Sequence, residues 1–543
     1  MTNTSNAVIP STSTKIADTA SAVSTKSEAE MSAKPNKANI FSFSLYKEAL
    51  AQLRLVGIVL GAPLIIFTFI SAVYVNFLST WARGSMQFAG LAEILWLVML
   101  FVWIAPFILG FNLFGFLNKR HKSDFYHSLP EKRLAVFTSF TLAVFTWAFA
   151  AFALALVLST GFIASFGVTR VFDEFLIVLA MFTPALLFAV SVAVFAASVS
   201  GTRFTSMIVA ALLVALPPLL KSIYAQSVAM SVTALDPQDV FQLGTNVYYS
   251  LGDLIFGLDV RLAVWFSQYT GDIIYTLAYA LVFFGLAAYF FVTRKSETAG
   301  SSASLPWLQW VYRISIAFLP LAIIANMLSW LDGALYLWII VAAILSLAAV
   351  CIFELLSTKK WKNLIYAAPA FGIASVSFVL FLTFVWGVAL YEASFQPQGQ
   401  NIRSVQVLSA DYKFSAWLDA EIMPRLNGLQ ESGVAIQDSS VNRALEEELE
   451  RVTTIPTWGN FDTLGGNRWG SYMLADSSRN EVVLYAYLRI EPTSGLARNR
   501  VLPIGNVTFH WHDENIVNDG NLLEDEISIQ LNDLGQALLA QAE

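Results

Sequence analysis

Nine long apolar runs dominate the chain. They lie near residues 55–78, 91–116, 134–160, 175–200, 204–220, 273–292, 314–330, 334–356 and 364–390. Each is near or above the ~20 residues that an α-helix needs to cross ~30 Å of hydrocarbon. A soluble core cannot hide so many such runs, whereas lipid solvates them. The pattern predicts an α-helical polytopic membrane protein with about nine transmembrane helices. The run 204–220 is interrupted by Pro217-Pro218, which a spanning helix tolerates when neighbours satisfy the freed carbonyls.

The flanks read differently. Residues 1–38 are rich in Ser, Thr, Ala and Lys with few large apolar residues, which predicts a disordered N-terminus with no signal-peptide core. In residues 39–54, Ile40, Phe43, Leu50 and Leu53 share one helical face with Lys47 and Arg54 at its edge. That pattern suits an amphipathic helix in the membrane interface or, equally, an N-terminal extension of the first span. Residues 391–543 have the composition of a soluble domain. Strands are expected at 404–408, 481–490 and 506–512, and helices at 415–427, 441–452 and 529–541. This predicts one C-terminal α+β domain.

Charge adds orientation. Residues 391–543 carry 22 acids and 10 bases; the preceding part carries 17 acids and 22 bases. With the N-terminus inside, cytoplasmic segments hold 18 of the bases of the membrane part, and only Arg83, Arg170, Lys221 and Arg261 fall outside. The positive-inside rule therefore puts the N-terminus in the cytoplasm, and an odd number of spans puts the C-terminal domain outside. The single cysteine, Cys351, excludes an intramolecular disulfide. Nothing in the charge pattern favours a nucleic-acid partner.

Little catalytic chemistry is legible. No G-x-x-x-x-G-K-[ST] loop cradles phosphates. Glu93 and Glu354 sit toward the ends of apolar runs, and the cost of burying a carboxylate favours both reaching interfacial water. The long segment 221–271 holds two short apolar stretches, Val247-Tyr248-Tyr249 and residues 254–258, which suit re-entrant or interfacial helices. His510 and His512 lie on one face of an expected strand. They are a weak metal pair, because zinc sites generally need three protein ligands or more.

The loop 117–133 between the second and third runs carries more information. Lys119 and Arg120 open it and Lys132 and Arg133 close it. Asp124, Phe125, Tyr126, His127, Ser128, Leu129 and Pro130 lie between. Phe125, Tyr126 and Leu129 form an apolar knob suited to a protein groove, with basic residues at its rim. An ordinary basic loop with incidental aromatics is the plainer physical reading.

The stretch Ser-Asp-Phe-Tyr-His-Ser-Leu-Pro followed by Lys-Arg resembles a segment recurrent in ABC-2-type permeases of Gram-positive bacteria, where it also lies between the second and third spans. The resemblance implies a coupling element that docks on a separate ATP-binding-cassette ATPase. It implies a six-helix permease core over residues 55–293, three additional spans over 294–390, and an extracytoplasmic domain of open role. It further implies a non-catalytic subunit with no cofactor of its own, ATP and Mg on the partner, a second permease copy or paralogue, and a bacterial cell membrane. Export or extraction of an amphiphile (peptide, lipid or drug) would follow. The alternative is a self-contained carrier, or a membrane-anchored sensor with an external ligand-binding domain.

Overall fold

The computed structural model describes residues 40–81, 89–128, 130–165, 171–231, 246–249, 251, 262–327, 335–393, 401–410, 435–453, 481–493, 498–509 and 527–541. Among them, nine helices are long and apolar enough to cross a membrane. The chain is a helical multi-pass membrane protein with a small sheet.

The membrane part consists of α1 (Phe43–Trp81), α2 (Ala89–Leu113), the short α3 (Arg120–His127), α4 (Arg133–Ala164), α5 (Val171–Val199), α6 (Arg203–Ser231), α7 (Leu262–Thr293), α8 (Pro306–Met327), α9 (Leu335–Thr358) and α10 (Ala367–Ala393). Tight 3-10 turns at Phe114–Asn118 and Trp361–Tyr366 precede α3 and α10. Helix α1 is unbroken for 39 residues, roughly 58 Å at 1.5 Å per residue. Residues 43–54 are thus the N-terminal extension of the first span, not a separate interfacial helix. Helix α6 also continues through Pro217-Pro218 and past Lys221. That lysine lies within the helix, not in the outer loop where its charge had placed it.

Small residues set the close packing. A Cβ on Gly57 would sit 2.5 Å from the Trp147 ring, and one on Gly61 would sit 3.0 Å from Ala151. Gly57 and Gly61, one turn apart, let α1 and α4 approach closely, as small-xxx-small pairs do in lipid. The Trp147 indole N–H then donates to the Leu50 carbonyl at 3.0 Å. Helix α5 is the central element: 67% of its apolar window is buried, against 17% for α10. Its inward positions include Ala185, Ala189, Ala193 and Ala196, all fully buried, which bring neighbouring backbones close.

One end of the bundle is closed by a cation. Arg294, just past α7, is 3% exposed. Its Nη1 donates to the carbonyls of Ala197 (3.1 Å), Ser198 (3.2 Å) and Ser200 (2.7 Å), and its Nη2 to Leu117 (2.9 Å). These carbonyls lie at the C-terminal end of α5 and in the turn after α2, where intrahelical donors run out. A guanidinium there satisfies several orphan acceptors and complements the helix dipole. Burial pulls its pKa down to about 10, with the Tyr312 phenol acting in the opposite sense, so it stays charged at neutral pH. Arg133 adds a second clamp, donating from Nη1 to the Val292 and Arg294 carbonyls, both at 2.9 Å. Beside it, Gly201 touches the 298–301 turn so closely that a Cβ would lie 2.2 Å from the Ser301 carbonyl oxygen.

The sheet is antiparallel, in the order β1 (Ile402–Ala410), β2 (Glu481–Pro492), β3 (Arg498–Phe509), β4 (Ile527–Leu531). Helices α11 (Ser439–Thr453) and α12 (Asp533–Ala540) pack on it. Val405, Val407, Leu488, Ile490, Leu502 and Ile504 are buried with Leu445 and Leu538 of the helices, which is an α+β arrangement. Pro503 cannot donate to a ladder, and it lies at the β2–β3 irregularity between Leu484 and Tyr485. The helix expected over 529–541 is instead β4 followed by α12. Asn532 caps that helix, accepting from Gly535 N at 2.8 Å. The expected helix 415–427 lies outside the described residues.

Replacing Arg294 with Met leaves four carbonyls with a lost donor. At roughly 1 kcal/mol per lost bond, destabilisation on the order of 4 kcal/mol is expected, with Arg294→Lys intermediate. Denaturant titration of the full chain in detergent micelles measures it. Equal stability of Arg294→Met and the parent would show that water satisfies those acceptors.

Candidate functional site

Helix α3 sits at the end closed by Arg294. Lys119 is extended (φ −122°, ψ 116°) and turns the chain out of the Phe114–Asn118 turn. The last turn of α3 closes through the Ser128 N–H, which donates to the Asp124 carbonyl at 3.0 Å, and through the Ser128 hydroxyl, which donates to the Phe125 carbonyl at 2.8 Å.

The two central aromatics have opposite environments. Tyr126 is half-buried, with its ring centroid 4.3 Å from Phe116 and 5.6 Å from Phe140. Its hydroxyl accepts from Gln52 Nε2 of α1 at 3.0 Å. Phe116 and Phe140 in turn touch Phe114 and Phe291, so Tyr126 belongs to an aromatic plug that seals the bundle end. Ser123, one turn earlier, is fully buried. The expectation that Tyr126 belongs to an apolar knob offered to a protein groove is therefore corrected: its ring is turned into the bundle. Phe125 is 61% exposed, resting edge-on against Tyr126 at 5.4 Å.

Around Phe125 the surface is polar and basic. Lys119, Arg120, His121, Lys122, Asp124, Ser128, Pro130 and Lys132 are exposed. Arg133, expected among the rim charges, is half-buried and turned inward onto α7. The side chain of His127, all of Leu129, and His510 and His512 lie outside the described residues. Among the described residues no group of three or more His, Cys, Asp or Glu side chains is placed to hold a metal.

A second polar cluster corrects the expectation for Glu354. It is fully buried and does not reach interfacial water. Its Oε1 accepts from Arg313 Nε at 2.6 Å and from Gln309 Nε2 at 3.1 Å. The Ser302 hydroxyl donates to Gln309 Oε1. The Arg313 guanidinium lies 5.0 Å from the Trp310 ring centroid and 4.6 Å from that of Tyr366. Gln309 and Arg313 are four residues apart on α8 and so share a face, while Glu354 comes from α9 and Tyr366 from the turn before α10. This ion pair ties the last three spans together. The side chain of Glu93 lies outside the described residues.

Two of these features were missed in the sequence. The Gln309–Arg313 spacing opposite an intramembrane carboxylate was a usable signal, because such a carboxylate implies a partner. For Arg294 no local signal existed: a basic residue after an apolar run looks the same whether it faces water or carbonyls.

Replacing Arg313 with Leu strands a buried carboxylate, and removing one partner of a buried pair costs roughly 3–5 kcal/mol. Thermal unfolding of the full chain in detergent should show a large loss for Arg313→Leu. The double variant Arg313→Leu/Glu354→Leu should recover much of it. A double variant no better than the single would mean that the stranded carboxylate is not the source of the loss.

No family model, curated protein or solved structure matches the chain.

Proposed function

We propose that this chain is the transmembrane permease subunit of an ATP-binding-cassette transporter, driven by a separate ATPase subunit and moving an amphiphilic substrate out of, or off, a bacterial cell membrane. The observation that carries this reading is Phe125: a large apolar ring, 61% exposed, on a short helix whose next residue is locked into the bundle. Leaving such a ring in water is unfavourable. Because the Tyr126 contacts hold α3 rigid, little ordering would be lost on binding, which favours affinity.

In this reading α3 is the coupling element and Phe125 its anchor. Asp124 and the exposed bases Lys119, Arg120 and Lys132 steer the partner. ATP and Mg belong to the ATPase, and this chain is not catalytic. A second permease copy or paralogue completes the transporter. The α3 end is cytoplasmic and the β1–β4 domain extracytoplasmic, as the distribution of Lys and Arg favours.

Truncating an anchor of this kind costs about 2 kcal/mol, near a thirtyfold loss of affinity. Phe125→Ala should release the ATPase from the tagged full chain and abolish substrate-stimulated ATP hydrolysis, with thermal stability unchanged. Tyr126→Ala should lower thermal stability as well. If Phe125→Ala retains its ATPase and full stimulation, α3 is not the docking element.

Orientation is tested separately in a Cys351→Ala background. An impermeant maleimide should label a cysteine at Ser439 in intact cells and spare one at Lys122. Both residues are exposed, so protection of Lys122→Cys reports sidedness rather than burial. The reverse pattern would place the α3 end outside.

A further inference from the structure

Residues 246–249 belong to none of the nine long helices, yet they reach deep into the bundle. Asn246, Val247 and Tyr248 are buried, at 5%, 0% and 4% exposure. The Tyr248 ring centroid lies 5.2 Å from Phe188 and 6.3 Å from Trp103. Tyr249 also touches Phe188, which stacks on Tyr279 at 5.7 Å. Trp103, Phe188 and Tyr279 lie well inside the apolar windows of α2, α5 and α7. Polar backbone at such depth is tolerated where protein buries it or where it lines a cavity.

Hydrogen bonds tie the segment to α2 and α7. Val247 N donates to Thr276 Oγ1 at 2.9 Å, and Trp103 Nε1 donates to the Tyr248 carbonyl at 3.1 Å. Asn246 uses its side-chain oxygen to accept from Tyr248 N at 3.0 Å. Two donors are left over: among the described residues Asn246 Nδ2 and the Tyr249 hydroxyl are buried with no hydrogen-bond partner. An unsatisfied buried donor costs about 1–3 kcal/mol, and such groups in a native structure call for a water, an ion or a ligand. The contacts of residues 246–249 described above are with uncharged side chains and backbone. The nearest acidic residue on α7, Asp272, interacts electrostatically with Lys221. The surroundings are aromatic: Trp103, Phe188, Tyr275, Tyr279 and Phe283.

We infer that the 246–249 segment, with the facing aromatics of α2, α5 and α7, is a binding site for the uncharged, hydrogen-bond-accepting part of an amphiphile, an amide or ester carbonyl. Asn246 Nδ2 and the Tyr249 hydroxyl donate to that carbonyl, and the apolar body packs on the rings of Phe188 and Trp103. A charged head group is disfavoured there, because the described contacts of the site are uncharged. The described conformation is closed to water. The ligand enters by displacing a short segment anchored through side-chain bonds, not a spanning helix. The inference deepens the amphiphile-transport reading and rests on it for its physiological sense.

The test uses the full chain in lipid nanodiscs without ATP or any ATPase. The probe is an N-decanoyl phenylalanine amide bearing a diazirine, which is uncharged and carries amide carbonyls. A hexadecane diazirine is the lipid-phase control. Saturable labelling by the amide probe is expected within 246–249 and along 275–283. Tyr249→Phe, which removes one hydroxyl and keeps the ring, and Asn246→Leu should each cut that labelling about tenfold, the loss of one buried hydrogen bond. The hydrocarbon probe should be unaffected, and unchanged thermal stability of Tyr249→Phe confirms that the variant is folded. If Tyr249→Phe keeps full saturable labelling, or if both probes give the same pattern, the donors serve a trapped water or packing and the inference falls. Because no ATPase is present, failure here leaves the coupling role of Phe125 standing. Loss of the coupling role likewise leaves positive labelling intact.

Discussion

The arrangement of this bundle depends on how helix ends are satisfied where water is scarce. The last carbonyls of a helix have no intrahelical donor, and in a bilayer they cannot rely on solvent. Arg294 answers this for α5 and for the turn after α2 at once, by placing one guanidinium against four carbonyls. Since Arg294 is itself the continuation of α7, the ends of three spans are brought to one point. Tyr312 of α8 joins them, its hydroxyl donating to the Val199 carbonyl at 3.2 Å. Through that residue the last three spans are tied to the same junction.

Everything at the α3 end is built on this junction. With Leu117 held by Arg294, Phe114 and Phe116 are presented to Phe137, Phe140 and Phe291. The plug they form receives Tyr126, and Tyr126 fixes which way α3 faces. Phe125 is left outward by the 100° step between successive helical residues. Exposure of that ring is thus an outcome of the packing of its neighbours.

A column of rings joins α5 and α7 to the 246–249 segment. Phe195 of α5 touches Phe290 and Phe283 of α7, Phe283 touches Tyr279 and Phe188, and Phe188 touches Tyr248. Packed interiors deform little, so α5 and α7 would shift as a unit.

Hydropathy decided the class of this protein. Nine apolar runs are a sum over about twenty residues each, and that sum does not depend on which helix lies beside which, so the spans were legible from residue order alone. The soluble composition after Tyr391, and the strands and helix within it, were legible for the same local reason. The α3 segment is helical over Arg120–His127 where a loop was expected, but its basic stretch with an aromatic centre was legible. The direction in which each residue faces was not. Tyr126 turned inward and Phe125 outward because of Phe116, Phe140 and Gln52, which come from different helices. Glu354 was expected at water and is instead paired with Arg313, because α8 and α9 pack with those two side chains opposed. Arg294 and Arg133 read as two more positive charges near an interface, and became clamps only when α5 and α7 ended beside them. Whether a polar group meets water, a carbonyl or a counter-charge depends on contacts between residues far apart in the chain, and those contacts exist only once the helices have packed.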